Sequence, residues 1–174
     1  MVLLFRCIGA LAAAVILAVM PARAEFLNPD WSTLTIEGVA APDWFAGVRE
    51  GNYIGMCTAC GGTMLLQVQV LSDDGTGSRI RSGQTTAASY TQIGQANAAR
   101  LGKPAAYYGT EPIEFASAIG FVTNARAATG DFSVSYQLWS DGKQLVVKVI
   151  GDDQAEVAKL AKRTYNATAP LTFR

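Results

Sequence analysis

The chain contains no histidine among its 174 residues, and this absence excludes several kinds of active site. A serine or cysteine nucleophile that depends on an imidazole base has no base available. Zinc and copper sites built on imidazole ligands are excluded as well. Covalent haem attachment needs a histidine directly after a CxxC pair, and Gly61 stands there instead. Chemistry based on carboxylates, lysine, tyrosine or thiols stays open.

Charged residues are few and evenly spread. They make up 16% of the chain, and no run of five like charges occurs, so the sequence predicts no disordered charged tail. The full chain has 14 acidic and 14 basic residues, and loss of Arg6 and Arg23 with the leader described below gives a net charge of −2. We therefore expect no nucleic-acid partner and no binding to an anionic membrane surface.

Residues 1–24 have the three parts of a secretory signal peptide. Arg6 supplies the positive charge, Cys7–Met20 forms the apolar core, and Ala22–Ala24 has the small-x-small pattern of a cleavage site. The apolar run is shorter than the roughly 20 residues that a bilayer span needs. This predicts a signal peptide that is cleaved at its end and is the only contact with the membrane. Residues 25–174 are then a single periplasmic domain.

Period-two alternation of apolar residues dominates the remaining sequence and predicts strands. Asp141–Gly142, between two alternating runs, is a strong hairpin signal. The predicted strands are Trp31–Val39, Asn52–Cys57, Thr63–Leu71, Ile113–Val122, Phe132–Leu138 and Gln144–Ile150, with a short one at Leu171–Phe173. Helices are predicted at Ser89–Leu101, with Ser89 and Gln92 as a capping box, and at Gln154–Tyr165.

The order of these elements lacks a regular strand–helix–strand alternation. This predicts an α+β domain, a mostly antiparallel sheet of five to six strands with two helices packed on one face. Pro42 is expected to begin a short helical turn, residues 72–84 to form a mobile polar loop, and residues 103–112 to be a connector.

The stretch Tyr53–Leu71 contains Cys57 and Cys60, the two cysteines left after loss of the signal peptide. A turn brings residues three apart to within about 7 Å at Cα, which overlaps the range that a disulfide tolerates. Gly61 or Gly62 can supply a positive φ for a bulged hairpin. Because the periplasm is oxidising, we predict a structural disulfide at the tip of a hairpin.

Two other roles for the cysteine pair stay open. Thioredoxin-like enzymes place CxxC at the start of a helix, whereas strand residues follow Cys60; a dithiol carrier on another scaffold still fits. CxxCGG resembles half of a zinc-ribbon knuckle, but the second CxxC is missing. Met56, Cys57, Cys60 and Met64 are all soft donors, so a Cu(I)-handling protein is part of the same alternative.

Other side chains suggest a binding surface or a second alternative, a carboxylate-dependent hydrolase. The candidates for the surface are Trp44, Phe45, Arg79, Arg81, Tyr107 and Tyr108. The candidate acids are Glu111 with Glu114 and Asp73 with Asp74, although solvated surface positions are the more ordinary explanation for such acids. The prediction is an exported, non-catalytic accessory or inhibitor-like binding protein. It has no cofactor, and its partner is an unknown protein or small molecule of the periplasm.

Overall fold

The computed structural model describes residues 27, 29–39, 43–60 and 62–173. The predicted signal peptide and the predicted turn at Pro42 lie outside these residues. The strands are β1 Trp44–Arg49, β2 Asn52–Cys57, β3 Met64–Ser72, β4 Ala105–Phe115, β5 Ala118–Ala127, β6 Phe132–Ser140 and β7 Lys143–Gly151. The helices are α1 Thr76–Arg81, α2 Ala87–Arg100 and α3 Gln154–Thr172. None of these helices is both long and apolar enough to cross a membrane.

All seven described strands join one sheet in the order β1-β2-β3-β7-β6-β5-β4, and every neighbouring pair is antiparallel. The predicted α+β class and antiparallel sheet are confirmed, but the predicted count of five to six strands is too low. The hairpin at Asp141–Gly142 is confirmed, and the Asp141 φ of 52° shows the left-handed conformation that its turn requires.

Alternation along the strands gives the sheet two distinct faces. We call one the core face; it carries the buried residues Leu66, Val68, Val134, Leu138, Leu145, Val147 and Val149. Helix α3 packs on this face through Val157, Leu160 and Ala161, which lie on one side of the helix.

The opposite face, which we call the second face, is covered only in part. Helices α1 and α2 pack against β4, β5 and β6, with the ring of Tyr90 stacked on Phe121 at 4.9 Å between centroids. The prediction of two helices on one face is therefore wrong, because the structure has three helices distributed over both faces. The missed helix, α1, lies in residues 72–84, where the Asp73 carboxylate accepts the backbone N–H groups of Gly75 and Gly77.

Strands β4 and β5 form a hairpin, so the predictions of a connector at residues 103–112 and of one strand at Ile113–Val122 are wrong. The turn lies at Ala116, whose φ is 51°. Gly109 and Pro112 suggested irregular chain, but β4 is an edge strand, where proline needs no ladder partner for its missing N–H. A register shift between Tyr107 and Gly109 marks a bulge in this edge strand.

Two terminal predictions are also wrong. Residues 31–39 form turns and irregular chain rather than a strand, with the Trp31 indole N–H donating to the Gly51 carbonyl at 3.1 Å. Helix α3 runs on to Thr172, so the expected strand at Leu171–Phe173 does not form. Pro170 has no N–H to donate to the Asn166 carbonyl four residues earlier. Because Asn166 is exposed, water can take the place of this hydrogen bond, and the last turn of α3 tolerates the proline.

Candidate functional site

Cys57 and Cys60 form a disulfide with their Cα atoms 5.8 Å apart. Cys57 is the last residue of β2 and pairs with Met64, the first residue of β3. The predicted disulfide at the tip of a hairpin is therefore confirmed. Residues 58–63 connect the two strands, and the chain turns back within this connection.

The two sulfurs occupy very different surroundings. Cys57 is 0% exposed and lies in a row of Cα partners between Trp44 on β1 and Met64 on β3, both of which are buried. Cys60 is exposed at the end of the sheet. The disulfide thus attaches an exposed loop to a residue that is wholly inside the core.

This asymmetry determines what the disulfide can do. A thiolate from solvent reaches only the Cys60 sulfur, so the sulfur that it must expel is that of Cys57. A thiolate released at Cys57 is cut off from water, and an unsolvated buried anion is a poor leaving group. The arrangement therefore favours a bond that stays closed while the fold is intact.

Glycine at position 62 is required by the packing of this loop. Its φ is 153°, and the Asp152 carboxylate fills the space that a Cβ atom would occupy. Asp152 follows β7 directly, so the loop after the disulfide rests against the start of the segment that leads into α3. The Cys57–Cys60 loop is consequently held from both sides, by the disulfide and by this contact.

The four soft donors proposed for Cu(I) do not converge. Met64 shares the core face with Cys57, whereas Met56 points to the second face and is 39% exposed. Within the described ranges, no group of three or more histidine, cysteine, aspartate or glutamate residues is arranged to hold a metal ion.

The residues predicted for a binding surface are scattered over the molecule. Trp44 is buried in the core, whereas Phe45 beside it is 69% exposed on edge strand β1. Tyr108 is exposed on β4, the opposite edge of the sheet, about 29 Å away at the usual strand spacing. Tyr107 is half-buried against Gly94 of α2.

The two predicted arginines, Arg79 and Arg81, lie on α1 and make contacts within the protein. Arg79 pairs with Asp74 at 3.5 Å, and Arg81 donates to the Ser117 carbonyl at 2.9 Å. The candidate residues therefore do not form one surface.

The candidate carboxylates do not form a catalytic pair either. Glu111 and Glu114 lie three residues apart on β4 and so point to opposite faces. Asp73 holds backbone N–H groups of the loop before α1, and Asp74 pairs with Arg79. Two open surface pockets, one beside residues 104–106 and 126–128 and one beside Leu27 and Leu171, have no carboxylate in their walls.

A partly buried polar network holds α2 on the second face. The Tyr90 hydroxyl donates to the Gln137 side-chain oxygen at 2.7 Å, and Gln144 donates to the same oxygen at 3.0 Å. Burial is the main reason that the pKa of Tyr90 is raised well above its ordinary value. Gln137 in turn donates to the Ser135 hydroxyl at 3.2 Å, so the network ties α2 to side chains of β6 and β7.

Sequence reasoning missed the exposed apolar side chains on the uncovered half of the second face. Ile54, Met56 and Leu65 are each about 40% exposed there. The signal was present: β2 and β3 carry large apolar residues at both parities, whereas a strand with one solvated face alternates strictly. A further helix or a partner was therefore to be expected over this half.

No protein-family model and no curated protein matches the chain. The chain is similar in fold to cyanobacterial PsbP (CyanoP) from Synechocystis sp. PCC 6803, known from its solution structure. The two share 12% sequence identity, the match covers 87% of this chain and 93% of the cyanobacterial one, and the TM-score is 0.50. At this identity the likeness concerns the fold alone, so the domain is an α+β domain with a PsbP-like fold.

Proposed function

We propose that this chain is an exported periplasmic protein that acts by binding, as a non-catalytic accessory or inhibitor-like protein. The observation that carries the proposal is the wholly buried Cys57 sulfur. This burial indicates that the Cys57–Cys60 disulfide is structural and fixes a loop. In addition, the candidate acids of the described residues do not converge on one site. These arrangements support a role in binding rather than in catalysis.

Two independent features support the proposed periplasmic location. The disulfide between Cys57 and Cys60 is typical of oxidising surroundings such as the periplasm. The sequence pattern of residues 1–24, which predicts a signal peptide, supports the same location. The PsbP-like fold is compatible with this function.

One observation favours a second candidate, a dithiol carrier. Cys60 is exposed, so a partner thiol can reach its sulfur and form a mixed disulfide. The same pair, once reduced, would be the donor set for Cu(I), with Met64 but without Met56. This candidate predicts a disulfide that opens under mild reductant while the fold stays intact.

A pull-down distinguishes the two candidates. The purified, oxidised protein serves as bait in a periplasmic extract of its own host, beside a Cys57→Ala/Cys60→Ala variant of confirmed fold. The accessory function predicts that both baits retain the same partner and that reductant does not release it. Capture that needs the cysteines and is reversed by reductant would support the carrier. Turnover of a substrate without any retained partner would contradict the accessory function.

A further inference from the structure

Among the described residues, the second face of the sheet is uncovered over β1, β2, the Leu65 end of β3 and the Ile150 end of β7, whereas Gln69 and Leu71 farther along β3 are buried. The main contacts of helices α1 and α2 are with β4, β5 and β6. The register places Phe45, Met56, Leu65 and Ile150 in one continuous row across four strands. Ile54 adds a fifth apolar side chain in the adjacent row. We call Phe45, Ile54, Met56, Leu65, Ile150 and Lys148 the open-face patch.

The exposure of this patch is larger than scattered surface residues explain. Phe45 is 69% exposed, and Ile54, Met56 and Leu65 each expose about 40% of their surface. Contiguous exposed apolar side chains of this kind mark interaction sites in soluble proteins. Their continuity follows from strand pairing, because cross-strand partners lie about 5 Å apart on the same face.

A cation lies inside the patch without an anion to balance it. Lys148 on β7 is in the same row as Ile54, next to Gln67 and Ser135, and its ammonium forms no ion pair with any described carboxylate. The strand side chains around the ammonium desolvate it and lower the pKa of Lys148, although part of the side chain is exposed.

The charge pattern of the five adjacent strands has a single sign. Strands β1, β2, β3, β7 and β6 contain no aspartate or glutamate, and their charged residues are Arg49, Lys143 and Lys148. Lys148 and Arg49 are on the second face, and neither pairs with a carboxylate of the described residues. An occupant that complements this face must supply both apolar side chains and negative charge.

We propose that the open-face patch docks a protein segment in which a carboxylate, paired with Lys148, is flanked by apolar side chains that cover Met56, Leu65 and Ile54. A carboxylate placed there would pair with the partly desolvated ammonium in a charge-assisted hydrogen bond. Two cations are too few for the many phosphate contacts of nucleic acid or for a polybasic membrane surface. A second copy that applied the same patch would bring no carboxylate to Lys148, because these strands contain none. The inference rests on the proposed binding function and names the chemistry of the partner.

A random peptide library displayed on phage, selected on the purified oxidised protein, tests the proposal. The enriched peptides are expected to share an aspartate or glutamate with apolar residues beside it. The leading peptide is then synthesised with a fluorophore, and its affinity is measured by anisotropy against the native protein and three variants. These are Lys148→Gln, Leu65→Ser and the matched control Lys162→Gln, whose exposed side chain lies on α3 at the opposite face.

Lys148→Gln is expected to weaken binding about fivefold, the size of a partly exposed ion pair. Leu65→Ser is expected to weaken it by a similar or larger factor, and Lys162→Gln to leave it unchanged. All three positions are exposed, so circular dichroism should show an unchanged fold. Replacing the acid of the peptide by its amide should remove the difference between the native protein and Lys148→Gln.

Several results would overturn the proposal. They are enriched peptides without an acid, equal binding by Lys148→Gln and Lys162→Gln, or no enrichment at all. Lys148-dependent sedimentation with phosphatidylglycerol vesicles, or dimerisation that Leu65→Ser abolishes, would assign the patch to a lipid surface or to a second copy instead. If a partner is retained in the pull-down but substitutions in the open-face patch leave peptide affinity unchanged, the binding function is supported and the assignment of this surface is contradicted.

Discussion

Replacing the exposed Cys60 by serine isolates the contribution of the disulfide to stability. The bond joins residues with a sequence separation of 3. For so short a loop, the chain entropy that the bond removes from the unfolded state corresponds to about 1.9 kcal/mol at 25 °C. Serine at an exposed position adds no packing defect, so we expect Cys60→Ser to lower the free energy of unfolding by about 2 kcal/mol. For a domain of this size that is a fall in Tm of about 4 to 8 °C.

Cys57→Ser should cost more, although it breaks the same bond. Cys57 is 0% exposed, so the serine hydroxyl is buried among Trp44 and Met64. A buried hydroxyl without a partner costs about 1–3 kcal/mol further. The expected total is therefore about 3 to 5 kcal/mol, and the gap between the two variants measures the burial of this one sulfur.

Urea unfolding followed by tryptophan fluorescence gives both free energies. Thr58→Ala, at an exposed position within the same loop, serves as the control and should unfold at the native midpoint. Equal midpoints for Cys60→Ser and Cys57→Ser would refute the asymmetric burial of the pair. A Cys60→Ser midpoint equal to the native one would show that the disulfide contributes nothing to stability.

Three further predictions concern the scaffold. Gly120→Ala should lower the free energy of unfolding by more than about 3 kcal/mol in urea titration, because its Cβ would overlap the Gln137 carbonyl. The control Gly47→Ala has open space around it and should lower this free energy by no more than a few tenths of a kcal/mol. Equal effects of the two substitutions would contradict the close approach of Gly120 to Gln137. Asp153→Ala should cost about 1 kcal/mol by the same titration, because the Asp153 carboxylate accepts the N–H groups of Ala155 and Glu156 at the start of α3; no loss would contradict this cap. The Tyr90 pKa is raised on folding, so above pH about 10 the Tyr90 hydroxyl ionises in the unfolded state before it ionises in the folded state. The free energy of unfolding should therefore fall above this pH, and it should fall less steeply in Tyr90→Phe. Identical pH profiles of the two proteins would contradict the burial of this hydroxyl.

The elements that sequence analysis predicted well are those whose local pattern and tertiary role agree. Strand β3 alternates from Met64 onward, and its alternate residues Leu66 and Val68 are indeed buried in the core. The turn at Asp141–Gly142 needs positive φ at both central positions, and these two residues supply it locally. Register on the core face was likewise predictable, because a slip by one residue would bury Gln67.

The errors arose where tertiary context overrides local preference. Pro112 is compatible with a strand only because β4 is an edge, and no local pattern shows which strand lies at an edge. Ser89 does cap α2, but as the third helical residue in a box with Thr86 rather than as the first cap. Pro170 breaks a helix in most contexts, whereas here the last turn of α3 accommodates it.

Of the candidate site, the sequence predicted the disulfide and little of its surroundings. The spacing of the two cysteines sufficed for the bond, but only the fold shows that one sulfur is buried and the other exposed. The open-face patch was missed because Met56 was assigned to a metal site, and because alternation alone does not reveal which half of a sheet the helices leave uncovered.

Reduction of the native protein tests most directly whether the Cys57–Cys60 disulfide is structural. The protein, purified without reductant, is incubated with a mild dithiol, alkylated, and weighed by mass spectrometry, in native buffer and at rising urea concentration. We predict that Cys57 and Cys60 stay unlabelled until the fold melts, with labelling that follows the unfolding transition. Labelling of both cysteines in native buffer, with the near-ultraviolet circular dichroism unchanged, would contradict a structural disulfide and support a redox-active dithiol.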